Sequence, residues 1–89
     1  MGKGTMRYWA AAKAAAGTHE EPYDAATLAD AVAAALAARA GRDGGGEFER
    51  VVRRSSFLVD GDPVGSRPHT SVALPDGGVV EVLPPFAGG

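Results

Sequence analysis

Hydrophobic and polar positions alternate along "GTMRYWA" (residues 4–10), the period-two pattern of a strand, with Met6 and Tyr8 on one face and Arg7 and Trp9 on the other. Arg7 marks the wet face, so the single tryptophan is expected on the surface. "AAAKAAAG" then reads as a short alanine-rich helix that Gly17 ends in the left-handed conformation. "THEEPYDA" is polar and interrupted by Pro22, which predicts a turn and a short strand at a sheet edge with Tyr23 as its anchor. In "TLADAVAAALAARAG" the spacing is helical. Leu28, Val32 and Leu36 recur every fourth residue with Ala31 and Ala35 beside them, predicting one apolar stripe. Thr27 is the expected N-cap, Asp30 stands at the capping-box position, Arg39 suits the negative end of the dipole, and Gly41 is the expected C-cap.

The second half has weaker periodicity. "GRDGGGEFERVVRR" is expected to open as a glycine loop, followed by a helical turn that carries Phe48, Val51 and Val52 inward. Ser56–Val59 reads as a strand entering a turn built by Asp60, Gly61, Asp62 and Pro63. A short strand is expected around Val72–Leu74, then a Pro-Asp-Gly-Gly turn and a last strand, Val79–Leu83. The order predicts one main helix laid across a small mixed sheet, an α+β domain. Residues 1–83 would form it, and residues 84–89 would be a tail.

Composition narrows the function. A hydrophobic share of 45% excludes disorder, and a net charge of −2 offers no reason to expect nucleic acid or an anionic membrane as partner. Without cysteine there is neither a disulfide nor a thiolate. No apolar run approaches the roughly 18–20 residues of a membrane span, and the N-terminal stretch lacks a signal core, so a cytoplasmic location is expected. His19 and His69 are isolated, the carboxylates are scattered, and "DGGGEFE" lacks the lysine and the strand-to-helix context of a phosphate loop. No metal site is expected. "RVVRR" reads as the solvated side of a short helix.

Chemistry is left to the last residues, "EVLPPFAGG". The Gly89 carboxylate is sterically bare and ionised, with a pKa of about 3.3–3.7 in model compounds. It becomes an acyl donor only after a partner activates it, as ATP does by forming a mixed anhydride. Pro84 and Pro85 stiffen the base of the tail and lower the entropy lost on insertion. At about 3.3 Å per residue the segment 84–89 spans roughly 20 Å, enough to enter another protein's pocket. Phe86, Ala87 and Gly88 would lie in that pocket.

The stretch "DGGVVEVLPPFAGG" resembles the C-terminal signature of the MoaD/ThiS sulfur carriers, ubiquitin-like β-grasp proteins, and above all the MoaD branch, the small subunits of molybdopterin synthase. "MRYWAAAKAAAG" is similar to that branch's opening, and "SFLVDGDPV" to its middle strand. The glycine-rich loop at 43–46 and the alanine content depart from the pattern. The resemblance implies no bound cofactor and no active site of the chain's own. An ATP-dependent adenylating and sulfurtransferase enzyme of the ubiquitin-activating type would adenylate Gly89 and convert it to a thiocarboxylate. The large synthase subunit would then receive the tail for molybdopterin synthesis. It also implies a hydrophobic partner surface, with Val80 and Val82 facing the helix and Leu83 joining Trp9 on the exposed side at the tail root. Other destinations are a ThiS-like role in thiazole synthesis, another sulfur-transfer pathway, or a ubiquitin-like protein modifier. A binding module with a flexible tail is the reading outside this chemistry.

Overall fold

Four strand pairings organise the molecule, as seen in a computed structural model that describes residues 2–85. The chain runs β1 (Lys3–Tyr8), α1 (Ala10–Ala16), β2 (Glu20–Asp24), α2 (Leu28–Arg39), α3 (Gly45–Arg54), β3 (Ser56–Val59), β4 (Asp62–Pro63), a 3₁₀ turn (His69–Ser71) and β5 (Val79–Leu83). The sheet order is β2-β1-β5-β3-β4. β1 and β5 are parallel neighbours at its centre, with Tyr8 opposite Val82, and β3 lies antiparallel on the other side of β5, with Ser56 opposite Leu83. This is the expected mixed sheet of an α+β domain.

Alternation decides which face is dry. Met6, Tyr8, Tyr23, Phe57, Val80 and Val82 point to the helices and are buried, joined by Leu28, Ala31 and Ala35 of α2 and by Phe48 and Val52 of α3. Thr27 caps α2 as expected, accepting the Asp30 N–H at 3.2 Å. Gly17 ends α1 in the left-handed conformation (φ 79°). The Asp60-Gly61 pair, both at positive φ, makes the tight β3–β4 turn; two left-handed residues match the twist of such a hairpin.

Several expectations need correction. β1 stops at Tyr8, and Trp9 instead stands at the N-cap of α1 with extended backbone. The inward face of α2 is Leu28, Ala31 and Ala35, while Val32 and Leu36 are only half-buried. The small alanines sit where the helix lies over the sheet, and the larger side chains turn toward the flank shared with Val52 and Phe57. The helix cap falls at Ala40, with Gly41 following at φ 76°. Around Val72–Leu74 there is no strand, only the 3₁₀ turn and one bridge from Ala73 to Thr27. Val72 and Leu74 are buried all the same. α3 also begins inside the glycine run and runs to Arg54, a full ten-residue helix where the sequence predicts a single helical turn after a glycine loop.

Candidate functional site

The end of β5 is set by its two neighbours. Because β1 runs parallel to it, the β1–α1 junction arrives beside the point where the chain leaves the sheet. The Trp9 backbone N–H donates to the Val82 carbonyl at 3.2 Å, extending the pairing by one residue. The Trp9 carbonyl then accepts from the amides of Ala12 and Lys13, which starts α1. Ala10 turns the chain between these roles at φ 49°, a left-handed conformation that costs a non-glycine residue about 1 kcal/mol.

The outcome is an exposed indole. Among the described residues, Trp9 is the only large hydrophobic side chain that stands in solvent, at 44% exposure. Its ring is held: Nε1–H donates to Glu81 Oε1 on β5 at 3.1 Å. Leu83, expected beside it as a second exposed contact, is half-buried, because it lies on a central strand between the β1–α1 junction and Ser56 of β3. Pro84 is half-buried and Pro85 exposed. Phe86, Ala87, Gly88 and Gly89 lie outside the described residues. The wet face near Trp9 carries Arg7, Glu81 and Leu58 in register, and Arg7 pairs with Glu20 at 3.5 Å. Exposed on both sides, that pair contributes little to stability.

The sequence pattern did not reveal Glu81 as the indole's acceptor, nor a polar cluster beneath the helices. Tyr8 donates its hydroxyl hydrogen to Glu21, whose carboxylate also accepts from both terminal nitrogens of Arg39 at 3.0 and 3.1 Å. Arg39 further donates to the carbonyls of Ala35 and Ala16, and its guanidinium lies 4.3 Å from the centre of the Phe48 ring. Burial, reinforced by the Glu21 carboxylate, pushes the Tyr8 phenol well above its ordinary range. Burial would also raise the Glu21 carboxyl, but the bonds from Arg39 and Tyr8 outweigh it and hold that carboxyl below its usual value. A phenol this reluctant to ionise is a fixed donor, and the cluster is a clamp joining β1, β2, α1, α2 and α3. Among the described residues, no three His, Asp or Glu side chains come together as a metal site, and no helix is long and apolar enough to cross a membrane.

Comparison with known proteins agrees with this geometry. The ThiS family model matches residues 6–89. No curated protein sequence matches the chain. Among solved structures, the small archaeal modifier protein 1 of Methanosarcina acetivorans superposes with a TM-score of 0.77 at 19% identity, covering 100% of this chain and 98% of the other. The Haloferax volcanii HVO 2177 protein gives 0.70 at 26% identity, covering 99% and 87%. The complex of subunits 1 and 2 of the molybdopterin-converting factor from Helicobacter pylori gives 0.63 at 21%, covering 98% and 99%. With a family match over nearly its whole length and a central parallel pair whose second strand leads to the Pro-Pro-x-x-Gly-Gly end, the chain belongs to the ThiS family and has the ubiquitin-like β-grasp fold of the sulfur carriers.

Proposed function

We propose that residues 1–83 form a carrier domain and residues 84–89 its reactive tail, with the Gly89 carboxylate as the group that is adenylated and converted to a thiocarboxylate. The observation that carries this reading is the family match through to residue 89, the bare glycine end. ATP is consumed by an activating enzyme, which supplies the catalytic groups. Attack of the Gly89 carboxylate on the α-phosphate of ATP releases pyrophosphate and leaves the acyl-adenylate. AMP then leaves when sulfide sulfur attacks the acyl carbon, and the carrier keeps one C–S bond in place of a C–O bond. Trp9, Leu83, Pro84 and Pro85 form the contact surface at the tail root, with Phe86, Ala87 and Gly88 continuing it into the partner. Delivery of that sulfur to a pterin precursor, inside the large subunit of a molybdopterin synthase, fits the paired molybdopterin-converting factor of Helicobacter pylori.

Incubation with ATP, an adenylating enzyme of the ubiquitin-activating type and a sulfur donor should shift the intact mass by the exchange of one oxygen for sulfur. A chain lacking Gly88 and Gly89 should stay folded and show no shift. An unchanged wild-type mass under conditions that load other carriers would remove the proposal. The likeness to the archaeal modifier favours one second reading, in which Gly89 is joined to a lysine of another protein. Peptide mapping for an isopeptide at Gly89 separates the two.

A further inference from the structure

Charge is unevenly distributed along β5. Four exposed aspartates gather where the strand begins. Asp60 accepts from the Val79 amide and Asp76 from the Lys3 amide, each at 2.9 Å, while Asp24 is the partner of Lys3 and Asp62 the partner of Val59. The far end, where the chain continues into Pro84, has cations on both flanks. Arg53 and Arg54 close α3 immediately before Ser55 and Ser56, and Ser56 is the partner of Leu83. On the other flank Lys13 lies one turn along α1 from Trp9, whose carbonyl accepts the Lys13 amide at 3.2 Å.

Two of the three glutamates at this end are paired with cations: Glu49 holds Arg53 at 2.6 Å and Glu20 lies against Arg7. Glu81 accepts from the neutral indole and keeps its charge on the wet face of the sheet. Among the described residues, neither Lys13 nor Arg54 has a carboxylate within ion-pair distance, and both are exposed. A chain of net charge −2 thus presents two free cations around the root of its tail.

We infer that Lys13 and Arg54 form a basic collar that docks on the activating enzyme, against carboxylates around the mouth of the pocket receiving the tail. The inference rests on the carrier reading, since only an inserted tail has such a mouth to match. Two free cations at this end of a net acidic chain are too few for nucleic acid, where several phosphate contacts supply the affinity. They suffice to orient an encounter: an acidic rim attracts the collar and repels the aspartate end, so the molecule arrives tail first. The rim does not oppose the tail's own carboxylate. Up to roughly 20 Å of extended chain separates them, well beyond the screening length of about 8 Å at physiological salt.

The test compares thiocarboxylate formation, at limiting activating enzyme, for the wild type, the Lys13→Glu/Arg54→Glu double variant, the milder Lys13→Gln/Arg54→Gln pair, and, as a control, Arg42→Glu on the α2–α3 loop, which changes the net charge by as much as the Gln pair does. Far-UV circular dichroism and Trp9 emission establish that each is folded. The charge-reversed pair should load about tenfold more slowly at low salt, the neutral pair should fall between, and the gap should close as salt rises. Arg42→Glu should follow the wild type. Wild-type rates in both double variants, a gap insensitive to salt, or an equal loss in Arg42→Glu would each overturn the collar while leaving the carrier reading intact. Failure of the wild type itself to load would remove both.

Discussion

At the scale of single residues, the Arg39–Glu21–Tyr8 cluster is the part of the molecule most sensitive to chemistry. Its groups are mutually satisfied, and no buried side-chain polar atom lacks a partner among those described. Removing one member therefore leaves the others desolvated and unpaired, which costs more than the lost bond. The pH dependence follows from the direction of the Glu21 shift. Its carboxyl titrates lower in the folded chain than in the unfolded one. The stability it contributes is therefore present above the ordinary glutamate value of about 4.3 and is lost as pH falls through the lower folded value. Urea midpoints measured from pH 7 downward should fall steeply below pH ~4 in the wild type. Glu21→Gln should start lower at neutral pH and fall less on acidification. Parallel curves for the two proteins would mean that another group controls the acid response.

At the scale of elements, α3 shows burial overriding propensity. Helices of this length are marginal alone and are held by their apolar face. Phe48 is fully buried and packs edge-on to Tyr8 at 5.6 Å between ring centres, and Val52 lies one turn further. Gly44 supplies the left-handed residue (φ 84°) that lets the chain turn into the helix, and its carbonyl accepts the Phe48 amide at 2.9 Å. The next two glycines differ. A Cβ on Gly45 would run into the Arg39 carbonyl oxygen, whereas one on Gly46 meets open space. Gly46→Ala should therefore stabilise the protein by about 0.5–1 kcal/mol, by reducing the freedom of the unfolded chain. Gly45→Ala should destabilise it by about 1–3 kcal/mol, since the α2 and α3 backbones must part. Thermal unfolding of the two variants decides between this close approach and a loop in which both positions respond alike.

At the scale of the whole molecule, the parallel pairing of β1 with β5 brings residues 9 and 83, far apart in sequence, to one end of the sheet. The exposed indole held by Glu81 is the feature suited to a partner, because aromatic anchors dominate the energetics of docking surfaces. On the proposed carrier function, Trp9→Ala should weaken binding to an activating enzyme by about 2 kcal/mol. It should change the unfolding midpoint little, since no core contact is lost. As the only tryptophan, Trp9 also reports the event directly. Its emission should shift to the blue when partner is added, and an unshifted spectrum on a saturated complex would place the interface elsewhere.

Local physics alone determined a large share of this protein. Alternation in β1 and β5 marked Met6, Tyr8, Val80 and Val82 as the dry face, and Thr27 and Gly17 marked helix ends, because capping and left-handed glycine are short-range effects. The Gly-Gly end and its resemblance were likewise legible, since a short terminal motif is read directly from the residues. Other features belong to tertiary structure. A start of α3 within three glycines, the rotation of α2 onto its alanines, and the half-burial of Leu83 all depend on what packs against them from elsewhere in the chain. The Glu21–Arg39 clamp and the Glu81–indole bond join residues 18 and 72 positions apart. No periodicity encodes such partners; only closing the sheet and laying the helices on it brings them within bonding distance.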